Sequence, residues 1–226
     1  MSEIKHPAHL EGEKNPVAEI QSAWEKYGKT ASYVLLAIVV VVGGIFAYRN
    51  MIVEPKERLA AESMFRAEEY YRADSARLAL NGDAINAGFL KVMSRYSGTK
   101  AAHLAEFYAG SCYLKLGDYN NAVKYLKDFS SPVKQLQERA YGLLGDAYSE
   151  QGKKEEAAEE YKKAGTFFEQ DDLFAPEYLF RSGYLYENMG KTSDAIAMYK
   201  LIKDKYPTSQ RGADIDKYLA RLGVIQ

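Results

Sequence analysis

The chain has 226 residues, and its 30 Lys and Arg nearly balance its 31 Asp and Glu. A net charge of −1 gives no field that would attract nucleic acid, which argues against a general DNA or RNA binder. The single cysteine excludes a disulfide framework and a cysteine-rich metal site. Nineteen tyrosines beside only six prolines favour helices that pack through aromatic rings.

The N-terminal segment, residues 1–29, carries prolines and mixed charge with little hydrophobic periodicity. It is predicted to be a mobile cytoplasmic tail, with room for a short amphipathic helix at residues 17–27. His6 and His9 form an H-x-x-H pair in this tail. A metal site would need further ligands, and none lies nearby in the sequence, so no metal site is expected.

Residues 30–48 are predicted to form a transmembrane helix, because no charged side chain occurs between Lys29 and Arg49. At about 1.5 Å per residue, this segment gives roughly 28 Å of helix, close to the roughly 30 Å hydrocarbon core of a bilayer. A buried core helix or strand is the first alternative, although charges at both ends suit lipid better. A cleaved signal peptide is the second, but the preceding segment is too long and no cleavage pattern follows. We expect an uncleaved signal anchor.

The orientation of this span is not fixed by its flanking charges. Lys26 and Lys29 precede it, whereas Arg49, Lys56 and Arg58 follow it, so the positive-inside count is nearly even. A tail left inside and a translocated C-terminal part is the preferred interpretation, which rests partly on the resemblance given below.

Residues 49–99 are predicted to form a long helix followed by a shorter one. The first helix spans residues 55–80, and Asn81-Gly82 ends it, since glycine favours the left-handed conformation of a helix C-cap. The second spans residues 84–96. Together they are interpreted as a degenerate helical hairpin.

Residues 100–226 contain an internal repeat. A glycine is followed by a tyrosine three residues later and by a second glycine seven residues later, and an alanine stands five residues beyond that. The residues of this pattern are Gly110, Tyr113, Gly117 and Ala122, then Gly145, Tyr148, Gly152 and Ala157, then Gly183, Tyr186, Gly190 and Ala195. A large residue follows each alanine four positions on, namely Leu126, Tyr161 and Tyr199. Such a period predicts stacked helical units.

This pattern is similar to the tetratricopeptide repeat, a hairpin of two helices, A and B. The resemblance implies that the first glycine and the alanine let helices A and B approach closely, while the large residues fill the groove between helices. The second glycine lies in the turn between the helices. A final helix at residues 209–222 would cap the stack. The predicted fold is all-α: a single N-terminal transmembrane helix and then a tetratricopeptide α-solenoid, with three repeats and the cap in residues 100–226.

No catalytic motif is present, since the sequence has no P-loop, G-x-S-x-G, H-E-x-x-H or dinucleotide fingerprint. His103 and Cys112 are nine residues apart on one predicted helix, about 13 Å along its axis, too far for a nucleophile–base pair. Glu159 and Lys163 are expected to form a solvated i,i+4 pair. The prediction is therefore a protein that is not an enzyme and needs no cofactor.

The expected function is protein binding by the face that the A helices line. The predicted peptide-binding groove consists of Phe107, Ser111, Leu114, Arg139, Asp146, Ser149, Glu177, Phe180 and Tyr184. Such a mixture of aromatic and charged side chains suits an extended or helical segment of another protein. The alternative for Phe107 and Phe180 is that their rings only pack against neighbouring helices.

One specific mode of peptide binding, the carboxylate clamp, is not expected. Tetratricopeptide domains that clamp a chaperone's C-terminal carboxylate use Lys and Asn on the first A helix, Asn on the second, and Lys with Arg on the third. The corresponding positions hold Phe107 and Ser111, then Leu143, then Glu177 and Arg181. Only Arg181 fits.

The whole architecture resembles the membrane-anchored periplasmic ancillary subunits of the bacterial Sec translocon. That resemblance implies an inner-membrane protein with a cytoplasmic N-terminus and a periplasmic repeat domain. Its partners would be protein segments and, through residues 30–48, the lipid bilayer, with no nucleic acid. Two alternatives remain open: an envelope-assembly scaffold for outer-membrane or cell-wall machinery, and a cytosol-facing adaptor of the import-receptor type.

Overall fold

A computed structural model describes residues 16–224, and the regular structure within that range is helical. A lone antiparallel bridge between Gly82 and Ala87 is the β pairing found there. The helices are α1 Pro16–Tyr48, α2 Glu54–Arg72, α3 Ala76–Asn81, α4 Phe89–Arg95, α5 Lys100–Lys115, α6 Tyr119–Lys127, α7 Lys134–Glu150, α8 Lys154–Phe167, α9 Ala175–Asn188, α10 Thr192–Lys205 and α11 Gln210–Arg221. The predicted all-α solenoid with an N-terminal apolar helix is confirmed.

The chain divides into two units, residues 1–54 and residues 55–226. In the first unit, α1 begins at Pro16, so residues 16–29 of the predicted tail are helical. The segment that starts at Trp24 has a window of mean hydropathy 2.3 and is long and apolar enough to cross a membrane. Its apolar side chains are exposed throughout that window, as lipid-facing side chains are. His6 and His9 lie outside the described residues.

A π-helical turn, Arg49–Val53, follows the apolar part of α1. In a π-helical turn each N–H bonds to a carbonyl five residues earlier, and such turns are short insertions in α-helices. This one begins at Arg49, where the apolar run ends.

In the second unit, the predicted single helix over residues 55–80 is wrong, because the chain breaks between α2 and α3. Asp74 adopts a left-handed conformation with φ of 56°. Its carboxylate accepts a hydrogen bond of 2.7 Å from Lys115 on α5, a residue distant in sequence. Asn and Asp adopt this conformation more readily than most other non-glycine residues, and at Asp74 it occurs together with the ion pair to Lys115.

The next helix also begins later than predicted, at Phe89 rather than at residue 84. The Asp83 carboxylate accepts hydrogen bonds from the backbone N–H groups of Ile85 and Asn86, at 2.8 and 2.6 Å. This local bonding holds residues 83–86 in an Asx-type turn, which competes with a helix.

Three hairpins follow: α5 with α6, α7 with α8, and α9 with α10. Gly117, Gly152 and Gly190 lie in the three turns with φ of 77°, 74° and 73°. Residues that carry a side chain rarely adopt a positive φ, so glycine is the residue that forms these turns without strain.

Each hairpin also contains one very close helix–helix approach. A Cβ added to Gly110 would lie 2.5 Å from Leu126, one added to Gly145 would lie 2.7 Å from the Tyr161 ring, and one added to Gly183 would lie 2.6 Å from the Tyr199 ring. The large residue of helix B thus rests directly on the glycine backbone of helix A.

Helix α11 closes the C-terminal end of the stack. Its Ile215 and Leu219 are buried in one apolar cluster with Tyr199 and Ile202 of α10. The Ser209 hydroxyl accepts the N–H of Gly212 at 3.0 Å and caps the first turn of α11. The apolar end of the last hairpin is therefore covered.

Candidate protein-binding surface

The A-helix face consists of the surfaces of α5, α7 and α9, together with α11. Two of the predicted groove residues are buried beneath it: Phe107 is 6% exposed and Phe180 is 9% exposed. The Phe107 ring centre lies 5.6 Å from that of Phe129, and the Phe180 ring centre lies 4.9 Å from that of Tyr218. The interpretation of these two rings as exposed docking groups is wrong, because Phe129 from the loop after α6 packs on Phe107 and Tyr218 of α11 packs on Phe180.

Ser111 is likewise buried. Its hydroxyl shares a 2.8 Å hydrogen bond with the hydroxyl of Tyr71 on α2, which ties the degenerate first helices to α5. This hydroxyl serves packing between helices.

Four charged side chains form an ion-pair ladder across α7, α9 and α11. Arg181 donates to Asp146 at 2.8 Å and to Glu177 at 3.0 Å. Arg211 donates twice to the same Glu177 carboxylate, at 2.6 and 3.2 Å. Two acids and two bases alternate, so the ladder is electrically neutral.

The ladder shifts the ionisation of its central carboxylate. Partial burial opposes the charged form of Glu177, but the hydrogen bonds from Arg211 and Arg181 outweigh that effect. The pKa of Glu177 is therefore lower than its ordinary value. Arg181 was the one residue that fitted a carboxylate clamp, and its guanidinium is already engaged by Asp146 and Glu177.

Two further predicted groove residues make aromatic contacts. The guanidinium of Arg139 lies 4.6 Å from the centre of the Phe174 ring, in cation–π geometry. Tyr184 is 47% exposed, with its ring centre 6.3 Å from that of the buried Phe180. Tyr184 thus presents an aromatic surface on α9 that a partner can reach.

Three predicted groove residues come together around one cavity. Leu114, Asp146 and Ser149 line a space of about 290 Å³ where α5 and α6 meet α7 and α8. The remaining lining residues are Tyr119, Glu150 and Tyr161. We call this space the α5–α7 pocket.

Acidic and phenolic groups dominate the α5–α7 pocket. The Tyr161 hydroxyl donates to Asp146 at 2.6 Å. Burial and the neighbouring Asp146 charge raise the pKa of Tyr161. The Tyr119 hydroxyl bonds to Glu150, which raises the pKa of Tyr119. Both phenols are therefore neutral donors at physiological pH, and the pocket carries two carboxylates.

The residues considered for chemistry do not form a reactive site. Burial raises the pKa of the Cys112 thiol to about 12, so the thiol is protonated and unreactive. The Nδ1 atom of His103 lies 3.0 Å from a carboxylate oxygen of Glu106, and the His103 ring stacks on Phe129. Within residues 16–224, no group of three or more His, Cys, Asp and Glu side chains is placed to hold a metal ion.

The predicted i,i+4 pair between Glu159 and Lys163 does not form. Lys163 instead pairs with Glu160 at 2.5 Å, and the hydroxyl of Tyr186 on α9 donates to Glu159. Glu159 therefore joins two hairpins, whereas the sequence suggested only a solvated pair on one helix.

Several residues of this surface escaped the sequence reasoning. Arg211 was assigned only to the cap, and Tyr119 and Glu150 were not considered. Their position in the sequence could have indicated a role at the surface, because Tyr119 and Glu150 lie beside the glycine turns, where successive hairpins meet.

Comparison with known families agrees with the hairpin arrangement. Tetratricopeptide-repeat models match residues 104–131, 138–164 and 177–209. A comparison with curated proteins gives no match. The three matched segments coincide with α5/α6, α7/α8 and α9/α10. These hairpins of the chain are therefore tetratricopeptide repeats.

Proposed function

We propose that this protein is a membrane-anchored scaffold that binds other proteins through the A-helix face of its repeats. Tetratricopeptide domains mediate protein–protein interactions and are typically not catalytic. The observation that carries the proposal is the accessible part of this face, where Tyr184 and the α5–α7 pocket offer aromatic and acidic groups. Exposed aromatic rings are the side chains most often responsible for interface affinity.

The exposed apolar side chains of α1 support the proposed anchor. Leaving so many Val, Leu and Ile side chains in water would cost about 25 cal/mol for each Å² of apolar surface, so lipid is the favoured environment. Tethering to a bilayer raises the local concentration of the repeats near a membrane partner, so that weak contacts suffice.

More specifically, we propose that the protein has a periplasmic, chaperone-like role beside the Sec translocon of a bacterial inner membrane, with its N-terminus in the cytoplasm. It rests on the combination of one span with a C-terminal repeat domain. Such a protein would contact both the channel and the chains that emerge from it.

Site-specific photocrosslinking in intact membranes tests this function. A photoreactive amino acid at Ser149 or Tyr184 should crosslink to translocon subunits and to emerging chains. The matched control is Glu156, which is exposed on helix B of the second repeat and should give no such crosslink. Absence of protein crosslinks from both positions would refute the binding surface, whereas crosslinks to outer-membrane machinery would favour the envelope-assembly role.

Protease treatment of spheroplasts tests the orientation. With the inner membrane intact, added protease should digest the repeats. Repeats that stay protected until detergent is added would instead place them in the cytosol, as in the import-receptor arrangement.

A further inference from the structure

The α5–α7 pocket differs from the rest of the A-helix face in how its carboxylates are paired with basic side chains. Along the ladder, each carboxylate has an arginine partner: Asp146 pairs with Arg181, and Glu177 pairs with Arg211. Glu150 belongs to the pocket but not to the ladder, and its partner is the neutral Tyr119 hydroxyl. Among the described side chains that line the pocket, none is basic. The Arg181 guanidinium lies beside it, 5.7 Å from the centre of the Tyr161 ring, and pairs with Asp146. Glu150 is therefore the lining carboxylate that has no cation among these described side chains.

The walls of the pocket complement a long side chain with a charged end. Leu114 supplies an apolar surface, and Tyr119 and Tyr161 supply aromatic ones. Lys and Arg bury their methylene groups against such surfaces while their charged ends reach polar groups. A volume of about 290 Å³ lies at the lower limit of roughly 300–1,000 Å³ that small-molecule pockets occupy, so it suits one side chain better than a cofactor.

We infer that the α5–α7 pocket receives a lysine or arginine side chain of the bound polypeptide. The basic end pairs with Glu150, and the side-chain methylenes lie along Leu114. This inference rests on the proposed protein-binding function and specifies the chemistry that it recognises. It predicts that the repeats prefer basic segments of a partner chain, and that added salt weakens this preference.

The test uses the full chain in detergent micelles and three short fluorescent peptides. The peptides share one apolar sequence and differ only at the central residue, which is Lys, norleucine or Glu. Fluorescence anisotropy should show that the Lys peptide binds most tightly. Glu150→Gln should weaken that peptide by roughly two- to five-fold, as expected for a partly exposed ion pair, and should leave the norleucine peptide unchanged.

Ser149→Lys provides a second variant, because it places a cation of this chain at the mouth of the pocket. Since Ser149 is exposed on α7, the substitution should preserve the fold, which circular dichroism can verify. It should weaken binding of the Lys peptide by more than about ten-fold. Glu156→Gln is the matched control, since it removes the same charge from an exposed site outside the pocket and should change nothing.

The outcomes separate this inference from the function on which it rests. Equal binding of the three peptides, or a Lys preference that survives Glu150→Gln and Ser149→Lys, would overturn the pocket assignment and leave protein binding intact. Failure of all three peptides to bind would count against the peptide-binding surface itself.

Discussion

Glu138 provides the sharpest test of the energetics of the repeat stack. This glutamate of α7 is 0% exposed, and neither of its carboxylate oxygens accepts a hydrogen bond within the described part of the chain. Asp171 faces it from the loop before α9, where it accepts the N–H groups of Leu173 and Phe174 at 2.9 and 2.7 Å. The perturbation is Glu138→Gln, which keeps the shape of the side chain and removes its proton equilibrium.

Burial and the neighbouring Asp171 carboxylate raise the pKa of Glu138 from its ordinary 4.5 to about 8, while Arg139 opposes the shift. The folded protein therefore holds a proton on Glu138 at pH 7, and the unfolded chain does not. The stability that protonation supplies is complete below pH 4.5 and is lost as the pH rises towards 8. At about 1.4 kcal/mol per pKa unit, the cost at pH 7 is about 3 kcal/mol.

Glu138→Gln should remove this cost, because the neutral amide can donate to Asp171 without first binding a proton. Urea unfolding of the full chain in micelles, followed by circular dichroism, should show the variant more stable than the parent by about 2–3 kcal/mol at pH 7. At pH 4.5 the two proteins should differ little. The exposed Glu156→Gln controls for the change in net charge. If the stability difference between the variant and the parent were the same at both pH values, protonation of Glu138 could not be its cause.

Four other substitutions test the packing and the ladder. Gly145→Ala places a Cβ 2.7 Å from the Tyr161 ring and should lower stability by about 1–3 kcal/mol, measured from urea midpoints. Gly152→Ala meets no neighbouring atom but keeps a φ of 74°, so it should cost only about 1 kcal/mol by the same measurement; equal losses at the two sites would contradict the close-approach argument. Glu177→Gln weakens both arginine contacts and should lower the free energy of unfolding by about 1–2 kcal/mol. A double-mutant cycle with Arg211→Ala should give a favourable coupling energy between the two residues. A coupling energy of zero would show that the ladder does not form in solution.

The three hairpins were predictable because their determinants are local in sequence. The first glycine of a repeat lies on helix A, and the large residue that covers it lies on helix B of the same hairpin. Gly183 and Tyr199 show this arrangement, in which one hairpin contains the whole contact. The turn glycines are equally predictable from the local sequence, because a positive φ depends on the residue type at a single position. An intact spacing pattern is therefore sufficient evidence for the hairpin.

The features that the sequence did not reveal depend on contacts between distant segments. At the break, Asp74 pairs with Lys115, 41 residues away, and no glycine or proline marks the position. Phe107 is buried by Phe129 from the loop after α6, and Phe180 by Tyr218 from the capping helix. The repeat pattern places these rings on helix A, but it does not say which neighbour covers them.

Contacts between distant segments also decide where along the A-helix face a partner can gain affinity. Between α7 and α11, a ligand's acidic group would have to replace Asp146 or Glu177 as the partner of Arg181, and would lose nearly as much as it gained. At the α5–α7 pocket, Glu150 has no cationic partner among the lining side chains of residues 16–224, so a basic group adds an ion pair there without breaking one. Tyr184, which is exposed and bears no charge, can contribute apolar contact on α9 without disturbing the ladder. Affinity on this surface should therefore come from the acidic pocket and from aromatic contact, and the ladder should set the geometry between them.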